Sequence, residues 1–304
     1  MAMDELYRRQ VALLIRVLPY VAAEDCFALK GGTAINLFLR DLPRLSIDID
    51  LAYLPVAPRT ESLAEIDSAM KRIAERIRHG LGAQVTESRL ARENAVTRLL
   101  VRGDNVQIKI EVTPVLRGCV FDPEPRSVSP AVEEAFGFAE INVVSFADLF
   151  GGKIIAALDR QHPRDLFDVR ELLTHEGIDD DLRRAVIVYL LSHNRPMYEV
   201  LAPSLKDISG EFERGFVGMT DQPLQLDDLV EARASLIAAV TGEMPEEHRE
   251  FLLSFERGSP DWSLLGLIGV ENLPAVRWRQ HNLEKLEPSE RAVLVHRLEE
   301  VLQL

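Results

Sequence analysis

Cysteine is scarce in this chain. Its 304 residues contain two cysteines, Cys26 and Cys119, which lie far apart and lack the spacing of metal ligands. The sequence therefore argues against a disulfide framework or a zinc knuckle. We expect the protein to work in the reducing cytoplasm.

Long apolar runs are also missing. No stretch reaches the roughly 18 consecutive apolar residues that a membrane-spanning helix needs. The first ten residues, MAMDELYRRQ, are too polar and acidic for a signal peptide. We therefore expect no contact with a membrane.

Positive charge is in the minority. Lys and Arg number 35 against 49 Asp and Glu, so the net charge is −14. This balance repels polyanions on average and argues against a protein that coats nucleic acid nonspecifically. An enzyme that grips one RNA end through a local patch remains compatible with it.

The periodicity of apolar residues changes near residue 140. Strand-like alternation mixed with amphipathic helices precedes this point, and from Ser145 onward nearly every segment has a helical period. Domains usually run to about 100–200 residues, so a chain of this length accommodates two. We predict an α/β fold with a small mixed sheet in residues 1–140, followed by a mostly helical lobe in residues 141–304.

An acidic strand is the first candidate for a functional site. Residues 45–51 (LSIDIDL) alternate, with Ser46, Asp48 and Asp50 on the polar face. Two carboxylates at i and i+2 on a strand point the same way, about 6–7 Å apart, and can share divalent cations. Two such acids can equally be plain solvent-exposed positions, and that alternative stays open.

A glycine pair precedes this strand at the expected start of a helix. Backbone N–H groups and the dipole at such a start attract phosphate, which makes Gly31, Gly32 and Thr33 candidate nucleotide-binding residues. The pair alone is a weak signal, because the spacing of a P-loop is absent. Lys30, beside the turn, is a secondary phosphate candidate or simply an exposed lysine.

A third acid lies on the arm of a predicted hairpin. Residues 106–112 alternate, with Lys109 and Glu111 on the polar face. If this arm packs beside the acidic strand, Glu111 joins Asp48 and Asp50, and three oxygen ligands suit Mg²⁺. Lys109 is then an ion-pair partner of Glu111 rather than a ligand.

The motifs together resemble a known family. FALKGGTAINLF followed by SIDIDL, IKIEV at 108–112, and LFGGKIIAALDRQHPRDLFDV at 149–169 are similar, in this order, to motifs of the AbiEii/AbiGii-type nucleotidyltransferase toxins. This family is a branch of the polymerase-beta-like nucleotidyltransferases that includes MenT-like toxins. The resemblance covers roughly residues 27–172 and implies a polymerase-beta-like catalytic lobe before the helical lobe.

The resemblance also implies roles for individual residues. Gly31, Gly32 and Ser46 would line the nucleotide phosphates. The metal ligands would be Asp48, Asp50 and Glu111. The helical lobe would contribute Lys153 as a triphosphate ligand and Asp165 as a further essential acid, with Arg164 and Asp168 as secondary candidates.

The residues of the helical lobe also allow simpler interpretations. Lys153 and Arg160 share a helix face at i and i+7, yet Lys153 could be a solvated helix lysine. The charges of Arg164, Asp165 and Asp168 could only balance the start of a helix. These alternatives stay open until the contacts of the side chains are known.

The resemblance implies a toxin that transfers a nucleoside monophosphate from an NTP onto an RNA acceptor. The expected acceptor is the 3′ end of tRNA, the expected cofactor is Mg²⁺ or Mn²⁺, and the expected partner is an antitoxin protein. The same site could instead modify a small hydroxylated molecule, such as a cationic antibiotic suited to the acidic chain. A non-catalytic nucleotide-binding regulator is the third alternative.

Two further segments bear on substrate and regulation. Trp278 is surrounded by Arg277, Arg279 and His281, and such a group can stack a base and bind phosphate. The alternative is a tryptophan that only caps the helical core. A phosphate on Ser46 would add about two negative charges to the candidate site. Phosphorylation is thus one regulatory route beside antitoxin binding or repression.

Overall fold

The computed structural model describes residues 5–220 and 223–303. The chain divides into two compact units, Met1–Ser145 with Gly218–Gln222, and Phe146–Val217 with Pro223–Leu304. The ends of the two predicted domains, residues 1–4 and 304, lie outside the described residues.

A mixed β-sheet forms the centre of the first unit. Its described strands are β1 (Phe27–Lys30), β2 (Asp48–Tyr53), β3 (Gln84–Arg89), β4 (Val96–Gly103), β5 (Val106–Val112), β6 (Glu124–Ser127) and β7 (Glu140–Val143). Their order is β3-β4-β5-β2-β1-β7-β6. β2 pairs antiparallel with β1 and parallel with β5, which places the predicted acidic strand in the middle of the sheet.

Helices pack around this sheet. They are α1 (Glu5–Ala22), α2 (Gly31–Ala34), α3 (Arg59–Leu81) and α4 (Pro130–Phe136), and a π-helical turn, Ile35–Leu39, continues α2. The two long helices are amphipathic and bury one apolar face each, because residues three and four apart lie on the same side of a helix. Strands and helices together confirm the predicted α/β unit.

The described residues of the second unit contain helices and no strand of the sheet. The helices are α5 (Phe146–Arg160), α6 (Pro163–His175), α7 (Asp180–Leu191), α8 (Met197–Leu201), α9 (Ser209–Gly215), α10 (Leu226–Ile237), α11 (Glu246–Glu256), α12 (Pro274–Glu284) and α13 (Pro288–Leu302). The mostly helical second lobe is thereby confirmed. Throughout the described ranges, no helix has both the length and the apolarity needed to cross a membrane.

The structure corrects two predicted boundaries. β2 begins at Asp48 and not at Leu45, because the Leu45 N–H donates to the Met219 carbonyl (2.9 Å) and Arg44 forms a bridge with Thr220. The segment at Met219 and Thr220 therefore pairs with the backbone that precedes β2. The first unit extends to Ser145 rather than to residue 140, because β7 is hydrogen-bonded to β6 and β1.

Two adjacent glycines let α5 approach α7 closely in the second unit. A Cβ atom on Gly151 would lie 3.1 Å from the Ala185 Cβ, and one on Gly152 would lie 3.2 Å from Cε1 of Tyr189. The Tyr189 hydroxyl donates to Asp148 Oδ1 at 3.2 Å. The glycines of LFGGK therefore have a packing role.

We predict that Gly151→Val destabilises the second unit. Adding side-chain volume to a closely packed helix contact should lower the free energy of unfolding by about 2 kcal/mol, measured by urea denaturation. Gly242→Val is the control, because no heavy atom lies within 4 Å of its Cβ position. Equal stability of the two variants would show that the α5–α7 contact tolerates the larger residue.

Candidate active site

The glycine pair directly follows β1 and forms the first two residues of α2, where the chain turns. Gly31 has a φ of +77°, which favours glycine. A Cβ atom on Gly31 would lie 2.8 Å from Asp50 Oδ2, and one on Gly32 would lie 2.6 Å from Arg44 Nη2 and 2.9 Å from Ser46 Oγ. The absence of side chains thus lets Asp50, Arg44 and Ser46 approach the backbone of the turn closely.

Thr33 fastens this turn to the start of β2. Its hydroxyl donates to the carbonyl of Asp48 at 2.5 Å and lies 3.1 Å from Ser46 Oγ. The Ser46 N–H donates to the Tyr7 hydroxyl at 3.0 Å. Ser46 therefore lies in the irregular segment before β2 and not on the strand, and its hydroxyl is held beside the glycine turn.

The predicted acids lie on one face of neighbouring strands. Asp48 and Asp50 alternate with buried residues along β2. In the register of the sheet, Asp50 is opposite Lys30 of β1 and Glu111 of β5, and Asp48 is opposite Lys109. The strand that carries Glu111 therefore pairs with the acidic strand, as the predicted grouping of Glu111 with Asp48 and Asp50 requires.

Cations already neutralise part of this face. Lys109 Nζ lies 2.9 Å from Glu111 Oε2 and 3.5 Å from Asp48 Oδ2, and Arg98 Nη2 lies 2.5 Å from Glu111 Oε1. Both carboxylate oxygens of Glu111 therefore contact a cation. Within the described ranges, no group of three or more His, Cys, Asp or Glu side chains is arranged to hold a metal ion, and the role of Glu111 as a ligand stays a prediction.

Burial shapes the protonation of the face. It raises the pKa of Asp50, against the opposing charges of Lys30 and Lys109, and it lowers the pKa of Lys30. Burial would also lower the pKa of Lys109, but the hydrogen bond to Glu111 and the charge of Asp48 raise it. An added cation beside Asp50 would stabilise its ionised form.

A divalent cation fits the aspartate pair of β2. The side chain of Asp48 is 45% exposed. Asp50 carries a charge that burial disfavours and lies against the bare Gly31. Carboxylate oxygens are preferred ligands of Mg²⁺ in proteins.

The second unit gathers the predicted basic and acidic residues of α5 and α6. Lys153 is buried, and its Nζ lies 2.9 Å from Asp165 Oδ1 and 3.0 Å from Asp168 Oδ2. Arg160 Nη2 lies 2.8 Å from Asp165 Oδ2. Burial would raise the pKa of Asp165, but Lys153 and Arg160 lower it. Lys153 is therefore not a solvated lysine.

The start of α6 has a separate arrangement. The Arg164 N–H donates to Nδ1 of His162 at 3.1 Å, so His162 caps the helix. Burial lowers the pKa of His162, with Arg164 adding to the effect, and a neutral ring can accept this bond. The side chain of Arg164 is exposed, and its functional role stays a prediction.

Two residues around the glycine turn escaped the sequence analysis. Arg44 is buried, its N–H donates to Asn36 Oδ1 (3.2 Å), and its Nη1 donates to the Leu45 carbonyl (2.9 Å). Asn36 Nδ2 donates to the Gly32 carbonyl at 2.7 Å. Together they brace the turn, and the only available signal was a polar residue inside an apolar helix start.

The tryptophan segment of α12 is partly structural. Trp278 is 63% exposed, so it does not cap the core. The prediction was wrong for Arg279, whose side chain is 12% exposed and whose Nη1 donates to the carbonyls of His193 (2.9 Å) and Arg195 (3.0 Å). Arg277 and His281 remain exposed beside Trp278.

Comparisons with known proteins agree with this architecture. The family model described as nucleotidyl transferase AbiEii toxin, type IV toxin–antitoxin system, matches residues 12–280. A solved structure, the nucleotidyltransferase toxin MenT4 from Mycobacterium tuberculosis, is similar with a TM-score of 0.60 and 16% sequence identity, over 98% of this chain and 95% of that one. The comparison with curated protein sequences gave no significant match.

The fold is that of the MenT nucleotidyltransferase toxins. The chain belongs to the AbiEii family of nucleotidyltransferase toxins of type IV toxin–antitoxin systems, since the family model spans most of its length. The resemblance inferred from the motifs is confirmed.

We predict that Asp165→Asn destabilises the protein in a pH-dependent way. Because the pKa of Asp165 is lowered in the folded state, its stabilisation is present above the ordinary aspartate pKa and is lost as the pH falls through the folded value. At pH 7 the variant should lose about 3 kcal/mol of unfolding free energy, and the difference from wild type should shrink below about pH 4.

Urea denaturation at several pH values measures this difference. Asp104→Asn is the matched control, because its pair with Arg16 is exposed and such pairs contribute about 0–1 kcal/mol. A loss that stays constant from neutral to acidic pH would contradict the electrostatic account.

Proposed function

We propose that this chain transfers a nucleoside monophosphate from an NTP onto RNA, with the 3′ end of tRNA as the acceptor, and so blocks translation. Membership of the toxin family supports the reaction class. The observation that carries the proposal is the position of Asp48 and Asp50 on one strand face, beside the side-chain-free turn at Gly31. The protein would encounter its NTP, its tRNA acceptor and a cognate antitoxin in the cytoplasm.

The first unit would hold the metal and the phosphates. Asp48 and Asp50 would bind Mg²⁺, or Mn²⁺ in its place, which when bound neutralises the triphosphate and stabilises the departing pyrophosphate. The backbone N–H groups at the start of α2 and the hydroxyl of Ser46 would contact phosphate oxygens, with Gly31 and Gly32 in the roles that the sequence predicts. Lys30, opposite Asp50 in register, is a secondary phosphate contact.

The second unit would contribute Lys153 and Asp165. In the proposed role, the Lys153 ammonium binds the triphosphate. Asp165 and Asp168 fix the position of this ammonium through contacts of 2.9 Å and 3.0 Å. A lysine held by two acids has little rotamer freedom left to lose on binding. Asp165 is thus a positioning acid, and its essential role follows from Lys153.

Two other functions use the same geometry. A small hydroxylated acceptor would need the same metal and phosphate groups, and a regulator would bind nucleotide without transfer. Incubation with each NTP, a mixed RNA pool and candidate small molecules, followed by 3′-end sequencing and mass spectrometry, distinguishes the three. Nucleotides added to RNA 3′ ends support the proposal. A nucleotide found only on a small molecule contradicts it, and so does the absence of any product.

We predict that Asp48→Asn abolishes labelling of RNA. Loss of one carboxylate from the metal pair should reduce transfer from labelled NTP to total tRNA by at least ~100-fold, because the metal stabilises the charge of the transferring phosphoryl group. Asp104→Asn, an exposed acid of the same unit, should transfer as wild type does. Undiminished transfer by Asp48→Asn would falsify the proposed metal role.

We predict that Trp278 contributes to RNA binding. An exposed aromatic ring next to Arg277 can stack a base, and stacking is worth about 1–3 kcal/mol. Trp278→Ala should therefore weaken binding of fluorescent tRNA about tenfold, measured by anisotropy, with unchanged melting temperature. Phe138→Ala removes another exposed ring (60% exposed) as the control, and equal affinity of both variants would remove α12 from the RNA-binding surface.

A further inference from the structure

Lys109 lies within the acidic face. Its ammonium is 2.9 Å from Glu111 Oε2 on its own strand and 3.5 Å from Asp48 Oδ2 on the neighbouring strand. The register of β2 and β5 makes Asp48 its direct neighbour. The side chain is only 29% exposed, so a largely shielded positive charge occupies the approach to the proposed metal ligand.

The charges of this face are matched. Its carboxylates belong to Asp48, Asp50 and Glu111, and its cations belong to Lys30, Arg98 and Lys109. Of these cations, Lys109 is the one within 4 Å of two of the acids. A divalent cation that approaches Asp48 is therefore repelled by Lys109 at close range, and this repulsion is large in a partly buried setting.

We propose that Lys109 is a tethered counter-ion that competes with the divalent metal ion for Asp48 and thereby sets the metal affinity of the site. The inference rests on the proposed metal role of Asp48 and Asp50. Metal binding requires the ammonium to leave Asp48, which its flexible four-carbon stem permits. The contact with Glu111 keeps the displaced ammonium on its own strand. Lys109 is a positioning residue in this account.

Glu111 acquires a second role from this arrangement. One oxygen faces Arg98 and the other faces Lys109, so Glu111 fixes the resting position of the counter-ion. This role does not need Glu111 to contact the metal.

Isothermal titration calorimetry of Mn²⁺ binding to the full chain tests the inference without any turnover. Lys109→Met should bind Mn²⁺ about tenfold more tightly than wild type, because one nearby positive charge is gone. Lys109→Arg keeps the charge and should keep an affinity near that of wild type. Lys71→Met is the matched control, since it removes a lysine from the pair with Asp67 (2.7 Å) on α3, and it should change nothing.

Equal Mn²⁺ affinity of Lys109→Met and wild type overturns the inference and leaves the proposed transfer to RNA, which labelling tests separately, intact. A gain that persists when Asp48→Asn is added also overturns it, because the gain must arise at Asp48. If Mn²⁺ binds neither wild type nor Lys109→Met, both the inference and the proposed metal role are overturned. Circular dichroism and melting in EDTA verify folding, and Lys109→Gln gives the same readout if Lys109→Met does not fold.

Discussion

The insertion of β2 between β1 and β5 is the constraint on which the candidate site depends. Hydrogen bonds on both sides fix its register, and burial of Ile49, Leu51 and Tyr53 holds one face in the core. Slippage by one residue would turn these apolar side chains outward and bury Asp48 and Asp50 instead. The hydrophobic effect on one face of the strand therefore orients the chemistry on the other.

Compensation of charge, partly exposed in the first unit and buried in the second, is the second organising principle. Glu111 is held by Arg98 and Lys109 in the first unit, and Lys153 is held by Asp165 and Asp168 in the second. Buried ion pairs stabilise a fold little more than apolar residues of equal volume. Lys153, Asp165 and Asp168 are buried on helices that carry a family motif, which favours a functional reason for their presence over a stabilising one.

Elements with a long and regular period were predictable. The residues of α3, α5 and α11 repeat apolar positions at helical spacing, and β2 and β5 alternate. β6 and β7 escaped prediction, because each has four residues and is defined by pairing rather than by its own pattern. The same reason applies to Arg44, whose contacts come from residues that the turn brings together.

The local sequence pattern by itself determines three features of the candidate site. Alternation places Asp48 and Asp50 on one face of the strand, and glycine at position 31 permits the turn. The order of the motifs indicates the family. Local pattern does not reveal that Glu111 lies beside Asp50 with both oxygens contacting cations, or that Lys153 is buried between two acids. Periodicity depends on neighbours in sequence, whereas these contacts depend on strand order and helix packing, which bring distant residues together.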